Sequence, residues 1–307
     1  MPTREARLAG GLIGLLVGDA LGVPYEFHSP EAIPPRDQIE YIPPVGFARA
    51  HVGTPPGTWS DDGPQALCLL VSLLDSGSFA ADDFGRRLVH WLDDGYLAVD
   101  RRVFDVGIQT EHAIARLRAG TPALSAGSTG EHALGNGSLM RVLPLALWHR
   151  GTDVELVDDA RAQSRVTHGH LRAQLCCALY CLWARRILEG ADNPWQSAVA
   201  SLRALYPPIS PEHAELDVDI QPDEAPAGQG RGYVVDTLRS ARWAVAQSGY
   251  EAAVRAAISL GNDTDTTACV AGGIAGLRDG IETIPQRWRD ELRGKELYTP
   301  LLDRLTA

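Results

Sequence analysis

The sequence predicts an all-α protein, and three observations carry that expectation. Apolar residues recur at three- and four-residue spacing through eleven stretches of the 307-residue chain,. The two-residue alternation of half-buried strands is nearly absent. Pro, Gly and acidic residues punctuate the gaps between stretches. The expected architecture is a compact orthogonal bundle of many helices.

In chain order, the first helix is expected over 5–20. Its flank MPTREARLAGGLIGLLVGDALG places two Arg before an apolar run, as a secretion leader would. Gly18 and Asp19 interrupt that run and no small-residue cleavage site follows,. Residues 28–59 hold seven prolines and no sustained period, so they should wrap the surface or edge a cleft,. Helices follow over 64–76, 82–93 and 103–118, with Pro64 in a first turn and Asp82 as an N-cap. The next four span 138–149, 153–164 with Asp153 as N-cap, 170–189 ended by Gly190, and 195–205. Residues 207–232 are acidic and rich in Pro and Gly, the composition of a long flexible connection,. The last three helices cover 233–247, ended by Gly249, then 250–260 and 265–277. No solenoid-period repeat occurs. Candidate site residues fall on both sides of 207–232, so one domain over 1–307 is expected.

With 45% hydrophobic and 22% charged residues, a chain of this length can bury a core without disulfides,. Its five cysteines (68, 176, 177, 181 and 269) lie in apolar helical stretches, and no His or further Cys completes a zinc set,. Buried thiols in a reducing, cytoplasmic compartment are the expectation. No uninterrupted apolar run reaches bilayer length, so no membrane partner is expected. A net charge of −11 argues against binding along a nucleic-acid backbone,. No exposed heptad seam indicates an oligomeric state.

The chemistry concentrates in two acidic runs at helix entrances. Trp59-Ser60-Asp61-Asp62 precedes the helix at Pro64, and Gly261-Asn262-Asp263-Thr264-Asp265-Thr266-Thr267 leads into ACVAGGIAGL. N-capping accounts for one oxygen-bearing residue in each run and leaves the surplus unexplained. An EF-hand does not fit, because position six from Asp263 is Ala268 and position twelve is Ile274,. Hard oxygen donors without Cys or His suit Mg²⁺ or Mn²⁺. Converging carboxylates would repel by about 4 kcal/mol per close pair at moderate dielectric, which divalent ions would offset. Gly272, Gly273 and Gly276 cost helix propensity, so they should permit the helix contact that unites the runs. Three weaker signals are the turn Gly135-Asn136-Gly137-Ser138-Leu139-Met140-Arg141, which could cradle a phosphate, the segment Ser164-Arg165-Val166-Thr167-His168-Gly169-His170, and Glu26 after Gly18-Asp19-Ala20-Leu21-Gly22.

In this order, GDALG…E, W-S-D-D, GNGS-MR, S-x-x-T-H and G-x-DTDT, the chain resembles the ADP-ribosylglycohydrolase family, which includes the dinitrogenase reductase-activating glycohydrolase. The likeness runs from about Gly11 to the tail GIETIPQRW. It implies two Mg²⁺ or Mn²⁺ ions in a central cleft, held by Ser60, Asp61, Asp62, Asp263, Asp265 and Thr266. It also implies Glu26 beside the metals, with Asn136, Gly137, Ser138 and Met140 around the ADP-ribose diphosphate and distal ribose. His168 would lie near that ribose, Asp100 and Gly107 would border the acceptor, and Tyr233 would touch adenosine. The chain departs from the family in having Ser60 for a common Thr, and Gly63-Pro64 where a Thr often follows the two Asp. The implied reaction removes ADP-ribose from a modified acceptor by attack of metal-activated water at the distal anomeric carbon, with Asp62 or Glu26 as base. The expected substrate is an ADP-ribosylated protein or a small ADP-ribosyl compound, with arginine first because Asp100 could pair with a guanidinium. A nucleic acid would enter only as a modified acceptor. Two alternatives use the same residues: a catalytically silent ADP-ribose-binding scaffold and a dinuclear-metal nucleotide phosphohydrolase.

Overall fold

The computed structural model describes residues 2–307. Among them are fourteen α-helices and no β-strand. They are α1 (Arg4–Gly22), α2 (Asp62–Ser76), α3 (Ala81–Asp94), α4 (Ile108–Arg118), α5 (Leu143–Trp148), α6 (Asp153–Arg165) and α7 (Leu171–Leu188), followed by α8 (Pro194–Ala204), α9 (Pro211–Ala214), α10 (Val234–Val245), α11 (Tyr250–Ile258), α12 (Thr264–Asp279), α13 (Gln286–Glu291) and α14 (Lys295–Thr306).

The spine is α1 packed antiparallel on α12. A Cβ on Gly10 would stand 2.2 Å from the Gly276 carbonyl oxygen, and one on Gly18 would stand 2.1 Å from that of Ala268. Only glycine permits so close a backbone approach. Tyr250 and Tyr180 donate their hydroxyls to the backbone oxygens of Gly14 and Val270, both at 2.8 Å, tying α11 and α7 to this pair. By length and composition α1 could cross a bilayer, since the sequence interruption at Gly18 and Asp19 does not break the helix. Within the protein, however, 83% of its most apolar window is buried.

Several local expectations change. The helix read from 103 begins at Ile108, because Asp105 has left-handed backbone (φ 59°) and Gly107 is the N-cap. The helix read from 138 begins at Leu143, leaving the glycine-rich turn free of helix. Asp82 is not a cap; Ala80 holds that position and the Asp82 carboxylate accepts the Ala123 N–H. Thr152 rather than Asp153 caps α6, in a reciprocal capping box with Glu155,. Gly249 opens α11 instead of ending α10. The segment 207–232 contains α9 and a π-helical turn over Glu215–Ile220, anchored by buried Leu216 and Ile220. The C-terminal α13 and α14 escape the periodicity: one is six residues long and the other carries Pro300 inside it. Both are held through buried Trp288, Tyr298, Leu301 and Leu305.

Candidate active site

The α1–α12 packing sets the site. Because the helices run antiparallel, the end of α1 meets the start of α12, where Thr264 Oγ1 donates to the Gly22 carbonyl at 2.8 Å. The chain leaving α1 then delivers Glu26 to the first turn of α12. One turn earlier, the buried carboxylate of Asp19 accepts the backbone N–H groups of Ser60 at 2.7 Å and Gly63 at 2.9 Å. This staple brings the first acidic run to the second. Asp61 and Asp263 occupy the N-cap positions of α2 and α12, yet neither makes a side-chain capping bond. Capping therefore explains neither run.

The carboxylates are buried with oxygens left over. Asp62 Oδ2, both oxygens of Asp265 and Ser60 Oγ are buried without a hydrogen-bond partner. Thr266 Oγ1 lies 3.4 Å from Asp62 Oδ1, and Glu26, Asp263 and Asp265 each place an oxygen within 4.8 Å of one another. Burial, reinforced by neighbouring carboxylates, raises the pKa values of Asp61, Asp62 and Asp265 well above the usual range. Burial also raises Asp263, and pushes Glu26 to about 10 and Asp19 to about 7. A buried carboxylate that keeps neither partner nor water is costly unless a cation neutralises it. The donor set is all oxygen, partly orphaned and mutually repelling, which fits hard divalent cations. These residues could hold such ions.

Polar side chains hold two of the site's carboxylates. Asn136 Nδ2 donates to Asp263 Oδ2 at 2.8 Å, and Gln65 Nε2 to Asp61 Oδ2 at 2.6 Å. Gln65 in turn accepts from Arg141, which is fully buried and also donates to Gln163 and to Thr167 Oγ1. The Thr167 hydroxyl also pairs with His168 Nδ1 at 2.7 Å. The other ring nitrogen, Nε2, lies beside the glycine-rich turn. Burial and Arg141 hold His168 neutral, with its pKa pushed down to about 3.

A cleft of about 340 Å³ opens over this cluster, lined by Glu26, Asp61, Asp263, Thr266, Gly107, Asn136, Gly137, Met140 and His168. Asp62, Asp265 and Ser60 lie behind that lining. At Gly137 a Cβ would come within 2.8 Å of the His168 ring, so the turn needs glycine there. Three expected residues are placed otherwise. The hydroxyl of Ser138 faces the core, against Ser164 Oγ and Cys177 Sγ. Tyr233 flanks the turn through backbone pairing with Gly135, but its hydroxyl accepts from Arg172 outside the cleft. Asp100 is exposed in a separate hollow and paired with Arg293. Asp105 lines the cleft instead, together with Glu26, Asp61 and Asp263. Asp105, His51, Gln65 and Arg141 were not singled out from sequence. Arg141 and Asp19 stood inside quoted motifs, whereas nothing local marks Gln65 or His51.

Size alone would misplace the site. A larger hollow of about 810 Å³ lies near Trp148, His149 and Arg304, and it contains none of the orphaned oxygens.

Comparisons with known proteins agree on one family. A family model described as ADP-ribosylglycohydrolase matches residues 1–307. The ADP-ribosylarginine hydrolase Tri1 of Pseudomonas putida is 32% identical over 93% of this chain and 74% of its own length. The ADP-ribosyl-[dinitrogen reductase] glycohydrolase of Rhodospirillum rubrum is 27% identical over 95% of this chain and 92% of its own. A solved structure titled ADP-ribosylglycohydrolase-related protein complex superposes with a TM-score of 0.79 at 33% identity, covering 99% of this chain and 98% of that one.

Proposed function

Because the chain belongs to the ADP-ribosylglycohydrolase family and is a hydrolase that removes ADP-ribose from an acceptor, we propose that it releases ADP-ribose from modified arginine with the help of two Mg²⁺ or Mn²⁺ ions. The observation that carries this reading is the set of buried, unpartnered oxygens of Asp62, Asp265 and Ser60 at two facing helix entrances. Ser60, Asp61, Asp62, Asp263, Asp265 and Thr266 would hold the ions, with Glu26 beside them. Bound divalent ions supply Lewis acidity and make water acidic enough to attack at neutral pH.

The chain's own groups do the rest. The Gly135 and Asn136 N–H groups are engaged by Gln109 and by the Gly232 carbonyl, so the Gly137 backbone and His168 Nε2 are the parts of the turn region that would meet the diphosphate and distal ribose. Asn136 and Gln65 keep Asp263 and Asp61 turned toward the reacting centre. Asp62 or Glu26 takes the proton of the attacking water as the anomeric carbon passes through an oxocarbenium-like state. On the acceptor side Asp105 replaces Asp100 as the partner for a guanidinium, because Asp100 is engaged by Arg293 outside the cleft,. The relatives named ADP-ribosylarginine hydrolase, in Pseudomonas putida and Serratia proteamaculans, support arginine as the acceptor.

The test is incubation with an arginine-ADP-ribosylated substrate, first with Mg²⁺ and then with EDTA, with the product identified by mass. Metal-dependent release of intact ADP-ribose is expected. Orthophosphate or a nucleotide monophosphate would establish a phosphohydrolase instead, and release undiminished by EDTA would sink the metal assignment.

A further inference from the structure

Four left-handed residues that are not glycine meet around Glu26: Phe27 (φ 64°), His51 (φ 48°), Asp105 (φ 59°) and Asn262 (φ 60°). They come from four separate stretches of sequence and touch one another. The Phe27 N–H donates to the Asn262 carbonyl at 2.7 Å. The His51 ring lies between Phe27 and Phe104, with centroids 5.5 Å and 5.1 Å away. Its Nε2 is 2.5 Å from Glu26 Oε2 and 3.9 Å from Asp105 Oδ1. Phe27 is 70% exposed, so burial does not explain a phenylalanine in this conformation. Backbone strain of this kind persists where the surroundings over-determine it, and it concentrates at functional sites.

Glu26, His51 and Asp105 could be taken for a metal triad, since their donor atoms lie within 4.8 Å of one another. The 2.5 Å separation of Nε2 and Oε2 argues otherwise. Two ligands of one tetrahedral zinc stand roughly 3.4 Å apart, as ligand bonds near 2.1 Å require. The two atoms are instead hydrogen-bonded,. His51 therefore spends its ring nitrogen on Glu26, while the two phenylalanines restrict the plane in which that nitrogen points.

We propose that His51 is a positioning residue: clamped between Phe27 and Phe104, it directs the Glu26 carboxylate toward Asp263 and Asp265. This rests on the glycohydrolase reading above and assigns the loop 28–59 a part in the site. Without the Nε2 contact, Glu26 would be free to turn away from the neighbouring carboxylates that repel it.

Two variants separate the ring from its nitrogen. His51→Phe keeps the aromatic clamp and loses the hydrogen bond, whereas His51→Gln keeps a hydrogen-bonding group and loses the ring. His51→Phe is expected to lower kcat about 10- to 100-fold, the usual loss when a supporting partner of a metal-site group is removed, with KM changed less than about threefold. His51→Gln should recover most of that loss. In a Glu26→Gln background, adding His51→Phe should change kcat by less than about twofold, because nothing remains to be positioned. Wild-type kcat in His51→Phe, or additive losses in the double variant, would overturn the proposal. The imidazole ¹⁵N resonances of His51 give a readout independent of turnover, and they should move on Glu26→Gln. Unmoved resonances would overturn the proposal whatever the activity. If the wild type releases no ADP-ribose from the arginine substrate while the resonances do move, the acceptor reading fails and the His51–Glu26 pairing is supported.

Discussion

Asp265 shows why single residues matter here: it is fully buried and neither of its oxygens has a hydrogen-bond partner. Replacing it with Asn, or doing the same at Asp61, should lower turnover by about 1000-fold or more, equivalent to roughly 4 kcal/mol of lost barrier lowering. The metal-free protein should keep or raise its melting midpoint, since an unpaired buried carboxylate is removed. Wild-type turnover in Asp265→Asn with Mg²⁺ present would refute its assignment as a ligand. His168 makes a prediction of the opposite kind. Its folded pKa, about 3, lies below the unfolded value of about 6.5,. Below about pH 6.5 the unfolded chain takes up a proton that the native state refuses, so this residue subtracts stability as the pH falls. His168→Gln should flatten the acid limb of the stability profile between about pH 6.5 and 4, by up to about 1.4 kcal/mol per pH unit. Urea unfolding across that range measures it, and an unchanged slope would show that the imidazole titrates normally.

At the scale of the element, α1 and α12 act as one unit. A Cβ on Gly276 would fall 2.0 Å from the Gly10 carbonyl oxygen, so Gly276→Ala must separate the helices. The substitution should destabilise the protein by at least about 2 kcal/mol, although alanine in place of glycine would stabilise an isolated helix by about 1 kcal/mol. Denaturant midpoints decide between the two signs. Because α12 carries Asp265 in its first turn and α1 ends beside it, the same variant should also lose turnover. The glycine face of α12 was readable as a place of close packing. Its partner was not, because Gly10, Gly14 and Gly18 stand at four-residue spacing in a segment whose apolar character resembles a leader. In the same way the two acidic runs were readable as more than caps, while the Asp19 staple that unites them needed the fold.

Over the whole molecule, the acidic cluster joins α1, α2 and α12 with the loop that follows α1, so ion binding is linked to global stability. Mg²⁺ or Mn²⁺ at a hundred times its dissociation constant should add about 2.7 kcal/mol and raise the melting midpoint by several degrees, reversibly with EDTA. A midpoint indifferent to both would mean that the carboxylates hold no cation. Stability therefore depends on the same packing that forms the cleft, since the staple, the glycine contact and the Arg141 relay all end at the carboxylates.

The helical class, the position of most helices and the surplus of oxygen donors at two helix entrances are legible in the sequence. Those properties reside in short windows: apolar spacing reports a helix face, and runs such as Ser60-Asp61-Asp62 and Asp263-Thr264-Asp265 display their donors locally. Only the fold settles which acidic residue of the 99–107 segment enters the cleft. Left-handed backbone at Asp100, Arg101 and Asp105 turns the 99–107 segment so that Asp100 meets Arg293 and Asp105 enters the cleft. It also decided that Arg141 reaches Asp61 through Gln65 and that His51 reaches Glu26. Such partners are brought together by the packing of helices and loops distant in sequence, and no local window records which side chains will then touch.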